Sequence, residues 1–283
     1  MATMTTSEQH AAMGYLIDAH LAHIRALGHS PRTAAARHNV LRRLHDDLPY
    51  GIAYADTAEI QQWLGRYRGW TLYTYDGHAR AFYGWADGVH LDGDPMAAIR
   101  RPKQPDCIPH PVTDAELAHA LHHSNSWWQL VIHLASLEGL RVSEIAGLRR
   151  EDITEWTVHI RRGKGGSPGT VPAHPHVWQL TCAMPKGQLV RGASGQAVTG
   201  HYLSIRAREH FDSIGLPDVH LHRFRDWYAT TMLNQGHSIR TVQENLRHKN
   251  LASTQGYTKV ADGQRRQAVC TLPVLTAPQQ DAA

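Results

Sequence analysis

The first ninety residues carry apolar side chains at the three- and four-residue spacing of amphipathic helices. The run from Ser7 to Leu27 shows this period, and Gly28 follows it in the manner of a helix C-cap. Three further start signals predict three more helices, opened by Ser30-Pro31, by Thr57 and by Thr71 as an N-cap. We therefore predict a small helical bundle over residues 1–91.

The helical period is lost between Asp92 and Val112. Five prolines and a glycine interrupt this stretch, which predicts an interdomain linker over residues 92–112. Its basic residues Arg100, Arg101 and Lys103 could follow a phosphate backbone. A solvated linker whose charge has no partner is an equally good interpretation.

A second domain is predicted from Thr113 onward. Thr113 and Glu116 have the spacing of a capping box, in which each side chain accepts a backbone N–H of the other residue. Alternating residues around the turn Gly163–Gly166 predict a β-hairpin made of Thr157–Arg161 and Thr170–Pro172. Helices are predicted over Trp127–Glu138, Ser143–Leu148, Thr199–Ile214, His222–Gln235 and Ser238–Leu246.

The fold class that follows is mainly α. An N-terminal helical bundle is joined by the linker to a mainly α domain over residues 113–260, which contains one small β-hairpin. Residues 261–283 are weakly patterned and are treated as a C-terminal tail. We find no internal repeat.

Composition narrows the possible function classes. The chain has 283 residues, 42% of them hydrophobic and 19% charged, and no apolar run approaches the roughly 20 residues of a membrane span. A formal charge of +4 and a pI near 9.0 favour an anionic partner. Three scattered cysteines argue against a disulfide framework and suit a reducing compartment. The first residues lack a signal-peptide pattern, so we expect a cytoplasmic protein.

The 22 histidines suggest a metal site at first sight. The close pairs, however, have no second pair at the spacing of metal ligands. We therefore predict no metal site and expect most histidines to be structural or on the surface.

Two groups of residues are candidates for chemistry. His222 and Arg225 stand three apart at the start of a predicted helix, so they should project from one face and could meet one substrate. Arg141 lies between a helix that ends at Gly139 and one that starts at a serine. Glu144, three residues further on, could orient the Arg141 guanidinium by a charge-assisted hydrogen bond. Taken singly, a solvated His-Arg face and a surface arginine are simpler explanations.

Three more candidates lie in or near turns and helix ends. Lys164, at the tip of the predicted hairpin, could reach a DNA groove or donate a proton, although a lone turn lysine is usually surface decoration. Tyr257 follows Arg225 by 32 residues and stands behind a block that contains His248. A lone tyrosine of this kind is usually a half-buried residue at a helix end.

Read in order, these blocks resemble the tyrosine recombinase, or phage integrase, family. That family has an arginine in a Gly-Leu-Arg-x-Ser-Glu turn, a lysine in a Gly-Lys-Gly hairpin, a His-x-x-Arg helix start, a Leu-x-His block and a Tyr-Thr. The matching residues are Arg141, Lys164, His222, Arg225, His248 and Tyr257. The resemblance covers about Thr113 to Val260, and the N-terminal bundle is more loosely similar to the SAM-like core-binding domain.

Two positions depart from the family pattern. Asp226 stands where many members have a second histidine, and it could shift the acid-base balance of the site. Arg247 stands where many members have glycine before the histidine of the third block. We expect Arg247 to add a DNA phosphate contact.

The resemblance implies a metal-free phosphoryl transfer without a cofactor. Arg141 and Arg225 would grip the non-bridging oxygens of a DNA phosphate, because a guanidinium fork is permanently charged and bidentate. His248 would add a hydrogen bond, and Tyr257 would attack phosphorus to form a 3'-phosphotyrosine. His222 would serve the tyrosine and Lys164 the leaving 5' oxygen, although the sequence leaves this assignment open.

The resemblance also implies partners. They are double-stranded DNA attachment sites, a homotetramer on two such sites, and an accessory DNA-bending or directionality factor, in the nucleoid of a bacterial host. The length suggests a compact form without an arm-binding domain, and we expect residues 261–275 of the tail to dock on a neighbouring protomer.

Several functions remain open at this stage. Integration or excision of phage or mobile-element DNA is the first hypothesis. Resolution of chromosome or plasmid dimers by an Xer-type enzyme is the second. A DNA-binding regulator that does not cut, and a metal-dependent nuclease that uses the histidines, are alternatives from other classes.

Overall fold

The computed structural model describes residues 6–106, 108–163 and 168–247 of the chain. It divides into two compact units, of which the first ends at Asp106 and the second holds the remainder. The predictions for Lys164, His248, Tyr257 and the tail lie outside the described residues.

The first unit consists of four helices, as the apolar period predicts. They are α1 (Thr6–Ala26), α2 (Pro31–Asp47), α3 (Thr57–Leu64) and α4 (Gly69–Ala86). Their apolar faces meet in one core, in which Ile17, Leu41, Leu44, Ile60 and Phe82 are fully buried. This arrangement satisfies the need of each amphipathic helix to bury one stripe.

Helix starts in the first unit agree with the predicted signals at two positions and differ at a third. The Ser30 side chain accepts the Thr33 backbone N–H at 3.1 Å, as an N-cap does. Helix α3 begins at Thr57, as predicted. The prediction of Thr71 as the cap of α4 was wrong, because the Leu72 N–H already donates to the Arg68 carbonyl at 3.3 Å. Thr71 therefore lies inside the first turn, where a residue cannot act as N-cap.

Part of the segment after α4 packs on the first unit. Arg80 of α4 donates from Nη1 to the Met96 carbonyl at 3.0 Å and from Nη2 to the Ile99 carbonyl. Met96 is fully buried in the same core as the four helices. The domain boundary at residue 91 stays a prediction, but the chain keeps contact with the bundle for several residues beyond it.

The second unit is mainly helical and contains one two-stranded antiparallel sheet, which confirms the predicted fold class. Its helices are α5 (Asp114–His122), α6 (Ser126–Ser136), α7 (Val142–Gly147), α8 (Pro175–Thr181), α9 (Gly200–Ser213), α10 (Leu221–Asn234) and α11 (Ile239–Leu246). Its strands are β1 (Thr157–Ile160) and β2 (Gly169–Pro172).

Local signals explain most of these elements. The Thr113 hydroxyl accepts the Glu116 N–H at 3.1 Å while the Glu116 carboxylate accepts the Thr113 N–H at 2.6 Å, so the predicted capping box is confirmed. In the hairpin, Val158 stands opposite Val171 and both are buried, which fixes the pairing register. Helix α8 was missed, because it has only seven residues and its cap is His174.

Arg223 of α10 holds the chain at the point where the second unit begins. Its Nε donates to the His110 carbonyl at 2.9 Å and its Nη2 to the Pro111 carbonyl at 3.3 Å. The Val112 N–H in turn donates to the Arg223 carbonyl at 3.2 Å. Residues 110–112 are thereby attached to the helix that carries His222 and Arg225.

No helix within the described ranges is both long and apolar enough to span a membrane.

Candidate active site

The turn between α6 and α7 requires glycine at position 139. Gly139 has φ +59°, in the left-handed region that penalises any residue with a Cβ. A Cβ there would also lie 2.8 Å from Tyr228 Cδ1 and 3.0 Å from Leu246 Cδ2. The close packing of α10 and α11 against this turn brings the following residues, Leu140 and Arg141, into a fixed position.

Arg141 is held by Glu144 at the start of α7. The Glu144 Oε2 accepts the Arg141 backbone N–H at 2.8 Å, and Oε1 accepts Arg141 Nη1 at 3.1 Å. Glu144 itself is buried, whereas the Arg141 side chain keeps 21% of its surface exposed. The helix starts one residue earlier than the sequence suggests, since Arg141 and not a serine occupies the N-cap position.

Arg225 of α10 is completely buried. Its Nη2 donates to the Leu246 carbonyl at 2.7 Å, and its Nη1 donates to the Gly139 carbonyl. The guanidinium thus joins the end of α11 to the turn that precedes Arg141. The sequence predicts that Arg225 projects with His222 from one face of the helix. The structure places Arg225 inside the protein, where carbonyls from two distant segments accept hydrogen bonds from its two terminal nitrogens.

His222 remains at the surface beside Asp226. Its side chain is 59% exposed, and its Nε2 lies 3.6 Å from Oδ1 of the buried Asp226, one helical turn away. Partial desolvation lowers the pKa of His222. The Asp226 carboxylate opposes this shift, while Arg225 and Arg141 add to it. The positive charges of Arg225 and Arg141 therefore both affect the protonation of the His222 imidazole.

Arg247 follows α11 in a left-handed conformation, with φ 53°. Its Nη2 donates to Glu144 Oε2 at 2.6 Å and its Nη1 to the Asn245 carbonyl at 3.2 Å. Only 15% of its side chain is exposed. Burial lowers the Arg247 pKa, and Glu144 counteracts that effect. The structure therefore brings Arg247 to the same carboxylate as Arg141.

Glu138 is a buried carboxyl group beside the site that the sequence analysis did not single out. Its Oε1 accepts the His174 backbone N–H at 2.8 Å. Burial raises its pKa to about 7, against smaller opposite effects of the His174 hydrogen bond and of Arg247. No local signal in the sequence marks Glu138 as buried, because the segment around His174 that contacts it is 36 positions away.

A basic cleft lies on the other side of α7. A cavity of about 360 Å³ is lined by Glu144, Arg149, Arg161 and Arg162 among others. Arg149 contacts Glu151 at 2.5 Å and Arg161 contacts Asp152 at 2.7 Å, so much of this positive charge is neutralised within the protein. Arg161 and Arg162 directly precede the hairpin turn, and this pair of adjacent arginines is the sequence signal for the cleft.

The remaining predicted residues are placed as follows. Arg100, Arg101 and Lys103 are exposed on the first unit, and the Arg101 guanidinium lies 5.1 Å from the centre of the Tyr73 ring. Lys164, which stands between the two strands in the sequence, and His248, the residue after Arg247, both lie outside the described residues. No distance to Tyr257 follows from the structure.

In residues 6–106, 108–163 and 168–247, no three histidine, cysteine, aspartate or glutamate side chains converge as a metal site.

Comparisons with known proteins place this geometry in context. The model of the phage integrase family matches residues 112–264, which include all six candidate catalytic positions. The chain is 32% identical over 185 residues to the tyrosine recombinase XerC of Mesorhizobium japonicum, and the match covers 58% of this chain and 59% of the relative. The chain therefore spans less than two thirds of that relative's length.

Solved structures show the same fold. A lambda integrase (75–356) dimer bound to a COC' core site has a TM-score of 0.72 at 16% identity, covering 86% of this chain and 94% of that one. A lambda integrase tetramer bound to a Holliday junction has a TM-score of 0.67 at 17% identity, covering 84% and 77%. At these identities the likeness concerns the fold alone.

Proposed function

Because this chain belongs to the phage integrase family, we propose that it is a site-specific DNA recombinase that cleaves and rejoins DNA through a 3'-phosphotyrosine. The observation that carries the proposal is the Arg141–Glu144 contact at the start of α7, within a family match that extends through Tyr257. A buried carboxylate that holds one side of a partly exposed guanidinium leaves the other side for a phosphate.

Arg141 and Arg225 are the proposed electrostatic part of the site. Negative charge on the non-bridging oxygens grows as phosphorus becomes five-coordinate, and fixed guanidinium donors stabilise that charge without reorganising. Arg141 is held at its backbone N–H and at Nη1 by Glu144. Arg225 contributes a permanent charge from inside the protein, where the low dielectric strengthens its field.

Tyr257 is the proposed nucleophile. Its oxygen forms a bond to phosphorus while the bond to the 5' oxygen breaks, so the phenol loses a proton and the leaving oxygen gains one. Desolvation lowers the pKa of His222 and so favours its neutral imidazole, the form that can accept a proton from the tyrosine. Lys164 is the proposed donor to the 5' oxygen, and His248 adds a hydrogen bond to the phosphate.

The proposed partners follow from the same family. The substrates are two double-stranded attachment sites, and four protomers act on them through a four-way junction, with an accessory DNA-bending or directionality factor. Arg100, Arg101 and Lys103 contact the DNA backbone from the linker, and the tail docks on a neighbouring protomer. The proposed location is the nucleoid in the bacterial cytoplasm.

A nicked suicide substrate tests the proposal. The wild-type protein should form a covalent adduct at the scissile phosphate, because loss of a short 5' fragment prevents religation. Tyr257→Phe should form none, while Tyr202→Phe, which changes another tyrosine of the second unit, should match the wild type. Adduct formation should continue in excess chelator.

Two results would reject the proposal. Absence of any adduct on a library of genomic and phage DNA would favour a regulator that binds without cutting. Cleavage that stops in chelator and survives Tyr257→Phe would favour a metal-dependent nuclease.

Integration or excision of mobile-element DNA is the first proposed role, and dimer resolution is the second. The 32% identity to a XerC recombinase keeps the second role as an alternative. Recombination assays on plasmids distinguish the two roles. One plasmid carries two identical copies of the recombination site found by adduct mapping, and the other carries a pair of non-identical sites. Efficient resolution between identical sites without added phage DNA would support the Xer-type role.

A further inference from the structure

Arg247 occupies a backbone conformation that suits glycine. Among the residues that the structure describes, it is the one non-glycine residue with a positive φ. A side chain with a Cβ is disfavoured in the left-handed region, so an arginine that is kept there needs compensating contacts. Glycine is also what many family members have at this position.

The compensating contacts join three separate segments. Nη2 of Arg247 donates to Glu144 of α7, and Nη1 donates to the Asn245 carbonyl at the end of α11. The aliphatic part of the side chain lies on β2, where Arg247 Cδ is 2.8 Å from the place that a Cβ on Gly169 would take. Gly169 therefore leaves room for the arginine, and the arginine links α7, α11 and the hairpin.

The contact with Glu144 bears directly on Arg141. Glu144 Oε2 accepts from both the Arg141 N–H and Arg247, and Oε1 accepts Arg141 Nη1. A carboxylate with donors on both oxygens has few orientations left. Without Arg247, the hydrogen bonds that the described residues donate to this carboxylate come from Arg141 alone, so no contact from outside the pair fixes where Glu144 holds the Arg141 guanidinium.

We propose that Arg247 is a positioning residue, which fixes Glu144 so that Glu144 presents Arg141 to the scissile phosphate. This inference rests on the proposed recombinase function. It replaces the expectation that Arg247 contacts a DNA phosphate, because its guanidinium is engaged by Glu144 and Asn245 and is mostly covered.

The test compares Arg247→Gly and Arg247→Lys with the exposed control Arg240→Ala on α11. Each variant is assayed in single-turnover adduct formation on the suicide substrate at saturating DNA, and in DNA binding over a range of salt concentrations. Arg247→Gly should lower the cleavage rate constant at least about 10-fold, which is about 1.4 kcal/mol. Its DNA affinity should stay within about 3-fold of wild type, and Arg247→Lys should recover most of the rate.

A double-mutant cycle with Glu144→Gln separates positioning from a general structural role. If Arg247 acts through Glu144, Arg247→Gly should cost less than about 2-fold once Glu144 is already replaced. If Arg247→Gly does not unfold cooperatively, Arg247→Asn takes its place, since asparagine tolerates the left-handed region and carries no charge.

Three outcomes would overturn the inference. An unchanged rate with weaker binding and a salt slope reduced by about one would identify a phosphate contact. A rate equal to wild type at equal affinity would show no role, and equal losses with and without Glu144 would show an independent one. Absence of any wild-type adduct would instead reject the proposed function and this inference with it.

Discussion

Each unit contains an arginine fixed by a buried carboxylate, and the two arginines differ in how many donors the protein uses. In the first unit, Arg80 donates from Nε and Nη2 to Asp76, at 3.0 and 3.2 Å, and from both terminal nitrogens to carbonyls. In the second, the Arg141 side chain makes one hydrogen bond within the described ranges, from Nη1 to Glu144. A guanidinium whose nitrogens all donate to the protein holds the fold together, and we call it a clamp. A guanidinium that is oriented but keeps unused donors can bind a ligand.

The first test of this comparison is Arg141→Lys. We expect the cleavage rate constant at saturating DNA to fall about 10³-fold, or about 4 kcal/mol, because one ammonium cannot bind Glu144 and also grip two phosphate oxygens. The melting temperature should stay close to that of the wild type. Single-turnover cleavage measures the effect, and the exposed Arg206→Lys serves as control. A loss of stability without a loss of rate would show that Arg141 is a clamp as well.

The second test is Arg80→Met in the first unit. Removing this guanidinium leaves the buried Asp76 carboxylate and two carbonyls without their donor, which should destabilise the unit by about 3 kcal/mol. Urea denaturation measures the change. Arg66→Met, which breaks the exposed contact with Asp47, should cost less than about 1 kcal/mol. Equal costs for the two variants would remove the distinction between a clamp and a surface pair.

The third test concerns a buried carboxyl group that lacks such a clamp. The pKa of Glu138 is raised from 4.5 to about 7 in the folded protein. The unfolded state therefore releases this proton first as pH rises, and the contribution of Glu138 to folding stability should fall by about 2 kcal/mol between about pH 5 and pH 7. The stabilisation by Glu138 is fully present below the pKa that this group has in the unfolded state. It is lost as the pH rises through the pKa that the group has in the folded state.

Glu138→Gln should remove this pH dependence, as measured by urea denaturation across the range. The exposed Glu155→Gln is the matched control and should keep the slope. The contribution of Glu138 is the difference in unfolding free energy between the wild type and Glu138→Gln at each pH. If this difference does not change with pH, Glu138 does not cause the effect. If it shifts in favour of the wild type toward neutral pH, the direction of the Glu138 shift is wrong.

Local chemistry made most of the fold predictable. The Ser30 cap and the Thr113 capping box act over three residues, so their spacing identifies them without tertiary information. Helix α8 was missed for the opposite reason, since seven residues show barely two turns of period. Thr71 was misjudged because a threonine in the first turn looks like one at the cap.

The residues of the proposed site could be selected from the sequence pattern, whereas their surroundings could be predicted only in part. Spacing placed His222 and Arg225 together, yet it could not show that Arg225 is buried. The carbonyls that satisfy it belong to Gly139 and Leu246, far away in sequence. The same holds for Arg247, whose contact with Glu144 spans 103 positions and follows from the tertiary fold.

The attachment of residues 110–112 to Arg223 has a mechanical consequence. Arg223 stands between His222 and Arg225 in the first turn of α10, and its side chain and carbonyl both hold the incoming chain. Tension on the segment that leads into the second unit is therefore transmitted to this turn before it reaches the rest of the core. The chain is tethered to its second unit at the helix that carries two of the proposed catalytic side chains.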